Sequence, residues 1–193
     1  MAGAELHTPH RMTTAEFLDW DGDGLVGKLE LVNGEVRAMS PASGAHSLIQ
    51  ANLAILIGNH LRARKLPCWV GTEAPVVPQM HANDNVRAPD LAVTCKKLGS
   101  SKTFPDPLLI IEILSPSHKR ETWESIYAMS TISSLKEIVV VESERVGVEV
   151  FRREIDGGWP KNGVTFAAGG DVVLTSIDAE FPIAEIYAGT LFA

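Results

Sequence analysis

Two carboxylates in apolar surroundings are the residues of this chain whose types and spacing could do chemistry. Glu112 is the one ionisable side chain in the run Leu108-Leu109-Ile110-Ile111-Glu112-Ile113-Leu114. An acid in a buried strand is costly unless a partner or a bound ion compensates it. Asp90 follows Pro89 and opens a second apolar stretch, Leu91-Ala92-Val93-Thr94-Cys95. Two acids at neighbouring strand ends point to a divalent metal. The alternatives are a turn role for Asp90 after its proline and a basic partner for Glu112.

The elements that must position these acids are legible in order. Residues 1–11 carry no periodic pattern and read as a flexible N-terminal arm, leaving 12–193 as a single domain. Thr13-Thr14-Ala15-Glu16 has capping-box spacing and predicts a short helix ending near Trp20. Asp21-Gly22-Asp23-Gly24 lacks the glutamate that a calcium loop requires at its twelfth position, where Val32 stands, and reads as a turn. Lys28 to Val32 and Glu35 to Met39 flank Asn33-Gly34, the dipeptide favoured in tight hairpins. Glu30 lies on the face of the first strand opposite Leu29 and Leu31. Pattern alone makes it a solvent-facing glutamate beside Lys28 and Arg37.

A long helix is expected from about Ala45 to Arg64, its stripe built from Leu48, Ile49, Leu53, Leu56, Ile57 and Leu61, with His46 at its start. Residues Gln79 to Val86 read as a polar surface loop, and a second helix is expected from about Glu121 to Ser130. On that helix Trp123 and Tyr127 stand four apart and are expected to face the core. Further strands are expected at Lys136 to Val141, Val146 to Phe151 and Val172 to Leu174, and a helical turn at Ile183 to Tyr187. Strands and helices mix without strict alternation, so a mixed-sheet α/β or α+β domain fits better than a doubly wound one.

Composition narrows the class. The chain has 193 residues, 45% hydrophobic and 21% charged, which is ordinary for a soluble globular protein. Its apolar runs reach about seven or eight residues, against roughly 20 for a membrane span, so a cytoplasmic protein is expected. Cys68 and Cys95 sit in apolar stretches outside any CxxC pair and are expected as buried, reduced thiols. A net charge of −7 argues against nonspecific coating of nucleic acid, yet it does not exclude a nuclease whose acids surround a metal. Arg62-Ala63-Arg64-Lys65 and Lys119-Arg120 are candidate phosphate-binding patches, with solvated helix ends as the alternative.

Glu30, Asp90 and Glu112 together are three carboxylates able to share one sheet edge. A magnesium ion held by such oxygen ligands can polarise a phosphodiester, and a nearby lysine would stabilise the charge that develops in the transition state. Pro89-Asp90, then Ile-Ile-Glu112-Ile-Leu with Ser115-Pro116-Ser117, resembles the Uma family of restriction-endonuclease-like proteins in the PD-(D/E)XK nuclease superfamily. Glu30 in Leu-Glu-Leu-Val-Asn-Gly-Glu, Ser40-Pro41 followed by His46, and Ser134-Leu135-Lys136-Glu137 are similar to that family's pattern in the same order. The likeness covers roughly Met12 to Tyr187.

The resemblance implies a restriction-endonuclease-like core, a mixed β-sheet flanked by helices. It implies Asp90 and Glu112 as ligands of magnesium, with manganese as a substitute, and Glu30 and His46 completing the pocket. The implied substrate is DNA, and a homodimer follows by analogy with nucleases that cut two strands. The superfamily's lysine belongs two residues after the glutamate, where Leu114 stands, or on the following helix near Ser125. Lys119 is then the expected source of positive charge. Two functions follow: a magnesium-dependent endodeoxyribonuclease, or a catalytically degenerate relative acting as a binding or assembly module.

Overall fold

Local signals near the N-terminus form as their chemistry requires. The computed structural model describes residues 11–25, 27–115 and 119–193. The expected arm therefore lies, but for Arg11, outside the described residues, as do Pro116 and Ser117 of the motif that follows Glu112. Helix α1 (Thr14–Asp19) starts in a complete capping box, with the Thr13 side chain accepting from Glu16 N–H and the Glu16 carboxylate accepting from Thr13 N–H. Strands β1 (Leu29–Val32) and β2 (Glu35–Ala38) pair antiparallel around Asn33-Gly34. Both turn residues have positive φ, 52° and 82°, the tight-hairpin geometry that asparagine and glycine tolerate.

Helix α2 (Gly44–Ala63) is capped by Ser43, whose hydroxyl accepts from His46 N–H. It buries Ile49, Leu53, Ile57 and Leu61 against the sheet, four residues at the helical repeat. The main sheet has six strands in the order β3 (Trp69–Thr72), β4 (Leu91–Thr94), β5 (Pro107–Leu114), β6 (Glu137–Glu142), β7 (Val148–Arg152) and β8 (Val164–Phe166). Only β5 and β6 pair in parallel, and α3 (Lys119–Met129) is in the crossover between them. The C-terminal part adds an antiparallel pair, β9 (Asp171–Leu174) and β10 (Ala179–Pro182), and the short helix α4 (Ile183–Ile186). This is the mixed α/β arrangement expected, a central mixed sheet flanked by helices.

The central strand β5 is buried along its whole length, and its alternation defines two cores. Leu109, Ile111 and Ile113 join the α2 residues and the C-terminal elements on one face. Ile110 and Leu114 join Ala92, Ile126 and Met129 on the other, the side covered by α3. Glu112 shares the parity of Ile110 and Leu114, so it breaks an apolar row that faces α3.

Three expectations are corrected. Cys68 and Cys95 are joined in a disulfide rather than reduced. The cause is register: Trp69 pairs with Thr94, so the residue before β3 and the residue after β4 meet across the ladder. Trp123 and Tyr127 are exposed, 39% and 69%, because α3 buries Ser125, Ile126, Ala128 and Met129 instead. Trp123 leans edge-on against Phe151 at the rim of the core. The segment Gln79 to Val86 is not all surface loop, since Asn85 and Val86 are buried and Val86 bridges to Leu31.

Candidate active site

Strand register brings the two acids together. Leu91 pairs with Ile111 in the antiparallel β4–β5 ladder, so one step further Asp90 falls opposite Glu112. Asp90 is 4% exposed and held through both its side chain and its backbone. Its Oδ2 accepts from Ile113 N–H at 2.8 Å, and its Oδ1 accepts from Lys28 Nζ at 3.0 Å. His46 Nε2 lies 3.4 Å from the same Oδ1. One helical turn on, Gln50 Nε2 donates to the Asp90 carbonyl at 2.9 Å. The N-terminal end of α2 therefore grips both the side chain and the backbone of Asp90.

The two carboxyls are driven apart electrostatically. Burial alone would raise Asp90, but the His46 contact, the Lys28 ammonium and the Ile113 N–H outweigh it and hold the group at about 2. Glu112 goes the other way: burial, then the negative charge of Asp90, push its carboxyl well above the ordinary range. Two acids side by side in one dry place cannot both ionise cheaply. Burial acts to lower Lys28, but the charges of Glu112 and Asp90, the bond to Asp90 and the charge of Glu30 raise it above its usual value. It is therefore a permanent cation in this site.

Glu30 is 4% exposed, which overturns its solvent-facing expectation. The segment leading into β4 covers that face of the hairpin, joined to it by reciprocal hydrogen bonds between Leu31 and Val86. Glu30 Oε1 accepts from Ala88 N–H at 3.0 Å, and Oε2 accepts from Arg87 Nη1 at 3.2 Å. Arg87 Nε in turn donates to Asn85 Oδ1 at 3.0 Å. The hairpin residue facing Glu30 in register is Arg37, yet the buried partner is Arg87.

Lys119 is not brought to the acids, which corrects its expected place. Its Nζ lies 3.4 Å from Glu142 Oε2, and the side chain is 47% exposed. Glu142 ends β6 in register with Leu114 and is the acid that pairs with the lysine. The sequence reading missed Lys28, Arg87 and Gln50. Lys28 carried a usable signal: it stands two residues before Glu30, so whichever face of the strand takes Glu30 takes Lys28 too.

Comparison with known proteins bears on the same span. The family model described as "Uma2: Putative restriction endonuclease" matches residues 14–179. The chain belongs to the Uma2 family. This Uma2 chain is 28% identical over 187 residues to "Uncharacterized protein slr1290" of Synechocystis sp. (strain ATCC 27184 / PCC 6803 / Kazusa), covering 94% of each. Its fold is similar to a crystal structure described as "a putative nuclease belonging to DUF820 from Anabaena variabilis ATCC 29413". That likeness has a TM-score of 0.68 at 17% identity and covers 92% of this chain and 98% of the other. In this Uma2 chain both expected lysine places are closed, since Leu114 and Ser125 are buried, 4% and 5% exposed.

A divalent ion suits the donor set. Among the described residues no three His, Cys, Asp or Glu side chains close around one point, so an all-protein cage is absent there. What the site offers is a pair of buried carboxylates whose mutual repulsion a hard cation would relieve. Magnesium is commonly held by one or two carboxylates and keeps water in its remaining positions.

Proposed function

We propose that the protein is a magnesium-dependent endodeoxyribonuclease that hydrolyses DNA phosphodiester bonds, with manganese able to substitute. The observation that carries this reading is the juxtaposition of Asp90 and Glu112, two buried acids at paired strands whose acidities shift in opposite directions. Family membership supports it, because the family is described as "Putative restriction endonuclease".

Asp90 and Glu112 would hold the ion. When bound, magnesium supplies a Lewis acid that polarises the phosphodiester and makes water a stronger acid. The chain's own residues set the stage for it. The Ile113 N–H and the His46 ring fix the rotamer of Asp90. Gln50 pins the backbone at the same residue. The Glu30–Arg87 pair, buried and mutually satisfied, anchors the β1 hairpin over the segment that carries Asp90. Such support keeps a carboxylate within the narrow geometry that a metal ligand needs.

Purified protein incubated with single-stranded and duplex DNA in magnesium or manganese should produce metal-dependent cleavage that chelation stops. Glu112→Gln should lower the rate by at least about 100-fold, the scale on which electrostatic groups at reacting phosphates act. Cleavage that is absent with either metal, or unchanged by Glu112→Gln, would remove this reading.

A further inference from the structure

We infer that Lys28 is the phosphate-binding cation of the active centre, delivered from the β1 hairpin in place of a lysine after Glu112 or on α3. The inference rests on the nuclease reading for its chemistry, and on geometry alone for its place.

Lys28 immediately precedes β1 on the face that carries Glu30, and its Nζ reaches Asp90 Oδ1 at 3.0 Å. Its side chain is 15% exposed, so the stem is buried along with the acid it reaches. One of its three donors goes to Asp90. The other candidate basic groups are committed elsewhere. Arg87 is 6% exposed and spends its donors on Glu30 and Asn85. Lys119 is on Glu142, and Arg120 lies against Glu121 and Glu124. Leu114 and Ser125 carry no charge.

Counting full charges shows what Lys28 changes. Glu30, Asp90 and Glu112 contribute three negative charges, and Lys28 and Arg87 two positive ones. With a divalent cation bound and both of its carboxylates ionised, the centre carries +1, matched to one phosphodiester. Without Lys28 the loaded centre would be neutral and would offer the phosphate no net attraction. In the hydrolysis itself a water oxygen bonds to phosphorus and the bond to the departing sugar oxygen breaks. A proton from water ends on that oxygen. The ammonium beside Asp90 stabilises the charge gathering on the non-bridging oxygens meanwhile.

The test uses the full chain, a labelled DNA duplex and two variants. In magnesium, Lys28→Met should cut at a rate at least about 100-fold below wild type. Calorimetric titration with magnesium should show binding retained or tightened, because Asp90 Oδ1 is freed. In calcium, which supports binding in place of catalysis, the salt dependence of duplex affinity should lose about one phosphate contact. Lys28→Arg keeps the charge and the pairing to Asp90, and it decides the matter should Lys28→Met fail to fold. It should retain the salt dependence yet cleave at least about 10-fold more slowly, since a planar guanidinium does not replace a compact ammonium.

Wild-type cleavage with Lys28→Met within about threefold of it would overturn the role of Lys28 and leave the nuclease reading standing. An inactive wild type whose salt dependence still falls in Lys28→Met would do the reverse. An unchanged salt dependence would overturn the phosphate contact in either case.

Discussion

Asp90 and Glu112 face each other in one buried place and titrate in opposite directions, so their effects on folding have opposite signs. Asp90 is held at about 2 against an ordinary 3.8. A depressed acid contributes stability that is present above its unfolded value and lost as pH falls through its folded one. Its share is about 2 kcal/mol, lost below roughly pH 4, because each tenfold gain in acidity on folding is worth about 1.4 kcal/mol. Glu112 is raised above an ordinary 4.5. It favours the fold below that value, and the contribution disappears as pH rises through the folded one. Metal-free wild type should therefore lose melting temperature on both the acid and the alkaline side. Glu112→Gln removes the alkaline loss while leaving the acid limb that belongs to Asp90. Melting curves in chelator from pH 2 to 9 should show the variant more stable than wild type at pH 8, although it is the variant expected to be inactive. A variant less stable at every pH would mean that Glu112 is satisfied in the fold without a metal. The expected outcome is a site stabilised at the expense of its chemistry by a single oxygen-to-nitrogen change.

At the level of elements, periodicity carried far and register carried what periodicity could not. The Asn33-Gly34 hairpin, helix α2, and strands β4 and β5 with their two acids were legible because each is written in local spacing. Glu30 and Lys28 were misplaced for a physical reason: the hairpin's outer face looks polar, and only the return of the chain at Asn85 to Asp90 makes it an interior. Lys119 was misplaced because Glu142, which captures it, is 23 residues away and adjacent only through the parallel β5–β6 pairing. The aromatic residues of α3 misled because its buried stripe uses small side chains, Ser125 and Ala128 among them. The disulfide belongs to the same class. Cys68 and Cys95 are 27 residues apart and meet only because β3 and β4 pair in one register. Closing a loop of that length should contribute about 3.5 kcal/mol on the chain-entropy account. Denaturant unfolding with and without reductant measures it, and Cys68→Ser with Cys95→Ser should reproduce the reduced value. No change on reduction would mean that the sheet edge is fixed by its hydrogen bonds alone.

On the scale of the whole molecule, the proposed nuclease function requires an acidic protein to bind an acidic polymer. The net charge is −7 and the isoelectric point about 5.3. The basic run Arg62-Ala63-Arg64-Lys65 does not resolve this, because it ends α2 while His46 begins it. At 1.5 Å per residue those ends stand about 24 Å apart, more than two Debye lengths at physiological salt. Arg64 is moreover engaged with Asp178, and Arg62 with Asn59. On the proposed nuclease reading, attraction for DNA is expected at the acids themselves, once a divalent ion reverses their sign. Among the described residues no helix is long and apolar enough to cross a membrane. Anisotropy of a labelled duplex should accordingly show weak binding in chelator and at least about 10-fold tighter binding in calcium at low salt. The gain should be absent in Asp90→Asn, whose site no longer gathers the ion. Equal affinity in chelator and calcium would place the DNA contact on a surface other than the one these carboxylates define.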